Sequence, residues 1–290
     1  MRVIASLLSV IALGGCGGDD GAPIDRPRDF GGARPVTLQV PTTFDAGQRY
    51  PLLVILHGYS VNAFIQQTYF RMGDIADTAG VLVLAPEGTT DSGGKQFWNA
   101  DPDCCDFDGS AVDDVAYLGG LIDDVMAAWP VDPARIDVIG HSNGAFMAYR
   151  LACDRADVVT AIAGLAGHAA RSDVACAPAR PVSVLHLHGT VDVEIPYADN
   201  VDGAATSPGA VASVAAWADR NGCTGAPVAG GRKDLDGAVA GDETVVAVTG
   251  GCPADGAAEL WTLEGSDHIP QPTPTFPTEL MAWLAAHPRR

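Results

Sequence analysis

Five consecutive residues, Leu52-Leu53-Val54-Ile55-Leu56, are apolar without interruption. A strand with one wet face alternates apolar and polar side chains. A strand with no polar position needs cover on both sides. Val81–Ala85, Arg135–Ile139, Val158–Ala163 and Val182–Leu187 read as further strands, and Val36–Val40 and Tyr50–Leu56 open the series. Between them the period changes. Ala111–Trp129 places Val115, Leu118, Ile122, Val125, Met126 and Trp129 at helical spacing, with Ser110 as candidate cap and Pro130 as the stop. Gly144–Cys153, Ala210–Asn221 and Glu279–His287 read as helices, and Thr244–Thr249 and Glu259–Leu263 as the last strands. Alternation of this kind predicts an α/β fold with a mostly parallel sheet and helices on both faces. No linker or fixed-period repeat interrupts 35–290, so one domain is expected there.

The chain of 290 residues carries 17 Lys+Arg against 36 Asp+Glu, a formal net charge of −19. Such a surface repels phosphate backbones, so no nucleic-acid partner is expected. At the start, Arg2 precedes the short apolar run Val3–Leu13, and Leu13-Gly14-Gly15-Cys16 has the form of a lipobox. Residues 1–15 are therefore read as a lipoprotein signal peptide, Cys16 as the lipidated residue, and 16–34 as a flexible tether. An ordinary signal peptide is the alternative. The expected location is the cell envelope, on its periplasmic or cell-surface face, with the membrane reached through the N-terminal lipid, or outside the cell if the lipobox is not used. Export permits the six remaining cysteines to pair. Their order suggests Cys153 with Cys176, Cys223 with Cys252, and the adjacent Cys104 and Cys105 with each other. No metal-ligand spacing of Cys and His is present, and no metal is expected.

Gly140-His141-Ser142-Asn143-Gly144 sits where a Val/Ile-rich strand meets a helical pattern. G-x-S-x-G in that setting is a nucleophile elbow, a tight strand-to-helix turn that lifts a serine hydroxyl above the carboxyl edge of a sheet. A serine is not ionised at neutral pH and needs a base, which in turn needs an orienting carboxylate. In this kind of fold the order along the chain is serine, acid, histidine. The acid belongs just after the second strand beyond the serine, in Gly189-Thr190-Val191-Asp192, so Asp192 is chosen, with Glu194 and Asp199 as alternatives. Of seven histidines, His57, His141, His168, His186 and His188 precede the acid, and His287 lies on the terminal helix. His268, in the loop after the last strand, remains. Acyl transfer also needs N–H donors for an oxyanion. The backbone of Asn143, next to the serine, and of Tyr59, in His57-Gly58-Tyr59, are the candidates.

LHGYSVN, LVLAPEG, FWNADPDCCD, VDDVAYLGGLI, VDPARIDVIGHSNGAFMAYRLAC, HLHGTVDVEIPY and GSDH, in this order across nearly all of 35–290, resemble the secreted polyhydroxybutyrate depolymerase and feruloyl esterase family of α/β hydrolases. The resemblance implies an α/β-hydrolase fold with Ser142, Asp192 and His268 as the triad. It also marks Cys104-Cys105 as a feature near the active-site rim. Many relatives follow the histidine with Trp-Pro-Gly, whereas this chain has His268-Ile269-Pro270-Gln271. The expectation is a serine carboxylic-ester hydrolase acting through an acyl-enzyme on feruloyl-type, hydroxyalkanoate or short-chain esters, without cofactor. Phe97 and Trp98 are the candidate acyl-pocket lining. A serine peptidase of the same fold and a non-catalytic binder on a hydrolase scaffold are the alternatives. The sequence assigns no oligomeric state.

Overall fold

The apolar runs form the middle of an eight-stranded sheet. The computed structural model describes residues 26–202 and 205–290. The strands of the sheet are β1 (Tyr50–Leu56), β2 (Leu82–Leu84), β3 (Val131–His141), β4 (Ala161–Leu165), β5 (Ser183–Gly189), β6 (Pro227–Lys233), β7 (Thr244–Thr249) and β8 (Ala258–Leu263). Their order is β6-β7-β8-β5-β4-β3-β1-β2. From β8 to β2 every pairing is parallel, and β7 and β6 extend the sheet antiparallel. Six helices are present among the described residues: α1 (Ala63–Tyr69), α2 (Ile75–Ala79), α3 (Asp114–Ala128), α4 (Asn143–Asp154), α5 (Ala210–Asn221) and α6 (Phe276–Ala286).

The uninterrupted apolar run now has its physical reason. Leu52, Val54 and Leu56 pack with Leu118 and Ile122 of α3 and Phe146 of α4, while Leu53 and Ile55 join Ile75 of α2 and Phe276 and Leu280 of α6. Alternate side chains point to opposite faces of a strand, and helices cover both. The parallel register also gathers the strand ends. Leu56 pairs with Gly140, His141 with Leu165, Leu165 with Leu187, and Leu263 with Gly189. The loops after β1, β3, β5 and β8 therefore leave from one edge, the edge where open α/β sheets hold their ligands.

Several expectations are corrected. Helix α3 starts at Asp114 rather than Ala111, and its cap is Asp113, whose side chain accepts from Ala116 N, not Ser110. The Asp106 carboxylate takes the N–H groups of Ser110 and Ala111, and Ala111 adopts φ 53°, so the chain is still turning there. Helix α6 begins three residues early with Pro277 in its first turn, a position where proline loses no intrahelical bond. Val36–Val40 shrinks to Val36–Thr37, paired with Asp29–Phe30. The same pairing corrects the tether, since its last residues are docked. Arg34 hydrogen-bonds Asp114 at 2.7 Å and stacks on Tyr117, and the Trp129 indole donates to Pro27 O. The signal segment 1–15 and Cys16 lie outside the described residues. The cysteine pairs Cys104–Cys105, Cys153–Cys176 and Cys223–Cys252 are those the order suggested, and they are consistent with export.

Among the buried carboxyl groups, Asp137 is thinly partnered. Asp137, on β3, is buried, and its side-chain partner is the Thr160 hydroxyl at 2.8 Å. That hydroxyl has one hydrogen and a second acceptor, Ile136 O at 3.0 Å. Burial pushes the Asp137 carboxyl up to about 7, with the Thr160 bond opposing only in part. A carboxyl raised on folding loses stability as pH rises from its ordinary 3.8 through about 7, because only the unfolded chain ionises freely in that window. Asp137→Asn should therefore be neutral in urea unfolding below about pH 4 and stabilise by up to about 4 kcal/mol above pH 7.

Candidate active site

Ser142 stands between β3 and α4 with φ 53° and ψ −122°, a left-handed backbone that a side chain adopts only under constraint. Three contacts supply the constraint. Ser142 N donates to Leu165 O at 2.8 Å, which ties the corner to the end of β4. A Cβ on Gly144 would lie 2.3 Å from Leu56 O, and one on Gly140 would lie 2.3 Å from the Gly144 carbonyl. Both glycines of the motif are thus required by backbone crossing backbone. Gly58 is close by: a Cβ there would lie 3.5 Å from that of Ser142.

The loop after β5 brings in Asp192, which is buried. Its Oδ1 accepts from the N–H groups of Glu194 and Ile195, each at 2.9 Å, and its Oδ2 lies 2.8 Å from His268 Nδ1. Burial acts to raise the Asp192 carboxyl. The hydrogen bonds from His188, His268 and Ile195 N outweigh it and hold the group well below its usual range. The two alternatives lie elsewhere: Glu194 is exposed and turns only its N–H to Asp192, and Asp199 caps Gly209 N at 2.8 Å.

His268 follows β8. Its Nδ1 faces a carboxylate and so carries the hydrogen, which leaves Nε2 bare to accept from the Ser142 hydroxyl at 2.9 Å. The acid and base loops are pressed together, for a Cβ on Gly189 would meet the carbonyls of Ser266 and Asp267 at 2.3 and 2.5 Å. His141, the residue before the serine, donates from Nε2 to His268 O at 2.8 Å. Burial, with His268 as a lesser cause, brings the His141 imidazole down to about 4, so it stays neutral beside the base. Chain order set His57, His141, His186 and His188 aside, yet all four are buried around this edge. Their common signal in the sequence was position at strand ends.

The two oxyanion candidates share one feature. Among the described residues neither Asn143 N nor Tyr59 N donates to an acceptor, while Ala145 N and Phe146 N return to Ser142 O and Ser60 N to Gln96 O. The Tyr59 loop is held by Gln66 of α1, whose side chain accepts from Gly58 N at 3.1 Å. The short helix α1 escaped the sequence reading because seven residues carry too little periodicity. The Asn143 side chain makes two bonds to the Trp98 backbone, from Trp98 N at 2.7 Å and to Trp98 O at 2.9 Å. Trp98 is wholly buried with its indole donating to His57 O, and Phe97 is buried too. The expectation that these two aromatics line an acyl pocket is corrected, since both are closed off from solvent and Trp98 holds the Asn143 side chain through its backbone. Exposed apolar groups flank the acid and base in sequence, Val191 and Val193 beside Asp192 and Ile269 after His268, and Phe107 is exposed edge-on to Tyr59. Away from the serine, ligand atoms of Asp101, Asp103 and His168 lie within 4.8 Å of one another. Arg171 and the Ser207 hydroxyl occupy the Asp103 carboxylate, which makes this an ion-pair cluster rather than an open cation cage.

Comparison with known proteins gives the family and the fold. Residues 36–239 match the family model described as Esterase PHB depolymerase. Feruloyl esterase B of Piromyces equi is 31% identical over 202 residues, 67% of this chain and 37% of that protein. The bifunctional acetylxylan esterase/xylanase XynS20E of Neocallimastix patriciarum is 29% identical over 173 residues, 60% of this chain and 23% of that one. The chain thus spans well under half the length of these curated relatives. Among solved structures, the acetyl xylan esterase from Aspergillus awamori superposes with a TM-score of 0.60 at 11% identity, covering 87% of this chain and 94% of that one. That likeness is one of fold, the α/β-hydrolase fold.

Because Asn143 clamps Trp98 through two buried bonds, Asn143→Ala leaves a buried N–H and a buried C=O unpaired. Denaturant unfolding of that variant should show a loss of about 2–5 kcal/mol, although its backbone N–H remains in place.

Proposed function

Because the chain belongs to the Esterase PHB depolymerase family, we propose that it is a serine carboxylic-ester hydrolase, with Ser142 as nucleophile, His268 as base and Asp192 as the carboxylate that orients it. The observation that carries this reading is the unbroken line Asp192 Oδ2–His268 Nδ1, 2.8 Å, and His268 Nε2–Ser142 Oγ, 2.9 Å. Ser142 Oγ attacks the ester carbonyl carbon while His268 Nε2 takes its proton. The new oxyanion is met by the N–H groups of Asn143 and Tyr59. Collapse of the tetrahedral species breaks the bond to the alcohol oxygen, which receives the proton from His268 Nε2, and the acyl group stays on Ser142. Water, deprotonated by the same nitrogen, then releases the acid and restores the serine. Asp192 stays ionised throughout and fixes the tautomer of His268.

The substrates proposed are esters with a feruloyl-type, hydroxyalkanoate or short-chain acyl group, in keeping with apolar exposed residues directly after the acid and the base, Val193 and Ile269. The relatives named for feruloyl and acetylxylan esters support the same class. The catalytic unit is 35–290, with 26–34 laid against it. Export under a signal at 1–15 and lipid attachment at Cys16 complete the proposal, supported by the three disulfides and by the lipobox-like Leu13–Cys16.

A fluorophosphonate probe should label the wild-type protein and fail on Ser142→Ala, and methyl ferulate, hydroxybutyrate oligomers and p-nitrophenyl acetate compared side by side should include at least one substrate. Folded wild-type protein that takes no label and cleaves none of the three overturns the reading. Asp192→Asn should lower kcat by about 10⁴, through the wrong tautomer of the base.

A further inference from the structure

His186 and His188 lie two residues apart on β5, and so on one face of the strand. Both are wholly buried, and the reaction written above uses neither. They bridge helix α4 and the Asp192 loop in a continuous row. Tyr149 Oη lies 2.8 Å from His186 Nδ1, and His186 Nε2 lies 3.0 Å from His188 Nδ1. His188 Nε2 then lies 2.9 Å from Ile195 O and 3.3 Å from Asp192 Oδ2.

The two ends of the row decide where every hydrogen sits. A carbonyl oxygen only accepts, so His188 Nε2 carries a hydrogen and points it at Ile195 O and the carboxylate behind. At the other end, the Tyr149 hydroxyl is buried, and its partner among the described residues is His186 Nδ1. Were it to accept there, its own hydrogen would be left unpaired in the core. Tyr149 therefore donates, and His186 Nδ1 is bare. A ring bare at Nδ1 carries its hydrogen at Nε2, which donates to His188, whose Nδ1 is bare in turn. Both rings are neutral Nε2–H tautomers and all three bonds run one way, toward Asp192. Burial, with His188 and His168 as lesser causes, holds His186 well below its ordinary value, in keeping with an uncharged ring.

We propose that Tyr149, His186 and His188 are positioning residues of the active site: a one-way row of donated hydrogen bonds that starts on the helix of Ser142 and locks the Asp192 loop opposite it. Tyr149 is seven residues, about two turns, beyond Ser142 on α4. The far end needs such a lock, because Val191, Val193 and Glu194 are exposed and bring no packing to the loop. The fork of His188 on Ile195 O and Asp192 Oδ2 holds both ends of that turn. The proposal rests on the triad reading for its effect on turnover, but not for its geometry.

Histidine ring ¹⁵N spectra of the intact protein around neutral pH should show His186 and His188 each protonated at Nε2 and bare at Nδ1. An Nδ1–H or a charged ring at either residue overturns the proposal. His188→Leu should lower kcat by about tenfold, the size of one lost hydrogen bond to a charged group. KM should stay unchanged, and the downfield proton that His268 Nδ1 shares with Asp192 should shift. Unchanged kcat and an unmoved proton in folded His188→Leu overturn it, whatever the melting temperature. Should that variant not fold, Tyr149→Phe removes one hydroxyl and should move the same proton and mix the tautomers of His186; neither change overturns it. If Ser142→Ala still takes the fluorophosphonate label, the triad reading fails, while the tautomer result stands or falls separately.

Discussion

A serine at φ 53° carries about 1–3 kcal/mol of backbone strain, and the local sequence has no means of holding it. The restraint is tertiary. Helix α4 crosses the end of β1 so closely that Gly144 has the Leu56 carbonyl where a Cβ would be. The crossing can form only if β1 is fixed in the sheet, and β1 is fixed because both its faces are buried. Burial of Leu52–Leu56 and exposure of one hydroxyl at the carboxyl edge are therefore consequences of a single arrangement. Gly58, just beyond the end of β1, lies against Ser142 in the same corner.

Charge around the serine is sparing in a molecule that carries −19 overall. Asp192 is held ionised by donated hydrogen bonds in spite of its burial, and it is the carboxylate in contact with His268. Burial keeps two nearby imidazoles neutral: His141, bonded to His268 O, and His186, one ring removed from Asp192 behind His188. A second positive charge there would oppose the imidazolium that the proposed reaction forms at His268. Neutral rings donate one hydrogen and accept another, so they transmit position without adding charge. That property accounts for histidine at these buried places, where a lysine or arginine would bring a charge that burial penalises.

Most of the sheet was legible in the sequence because its strands are buried on both faces, and continuous apolar runs leave little choice of period. The proposed catalytic residues were legible for a related reason. Each sits where an apolar run stops, and the order of the stops is the order of the loops at one sheet edge. What escaped lacks such punctuation. Helices α1 and α2 are shorter than two full turns, and β6, with Gly230-Gly231 and exposed side chains, has neither alternation nor apolar character. Phe97 and Trp98 were misread because composition marks an aromatic as suited to a pocket but does not say which face of it meets solvent. The histidine row was invisible for a further reason: Tyr149, His186 and Asp192 are joined only after α4 has packed on the sheet, and no local spacing encodes that contact.

Chemistry and selectivity occupy different depths in this site. The proposed triad residues come from turns at the sheet edge where backbone approaches too closely to tolerate a Cβ, as at Gly140, Gly144 and Gly189. The exposed apolar residues near them come from loops. Val193 follows the acid and Ile269 follows the base, both exposed, and Phe107 leans on Tyr59 two residues beyond the Cys104–Cys105 pair. Ile269 is exposed and aliphatic, whereas Phe107 and Tyr59 present aromatic rings in edge-on contact. The Ile269 side chain makes no hydrogen bond to the proposed triad, so its exchange changes the surface beside His268 and leaves the Asp192–His268–Ser142 bonds untouched.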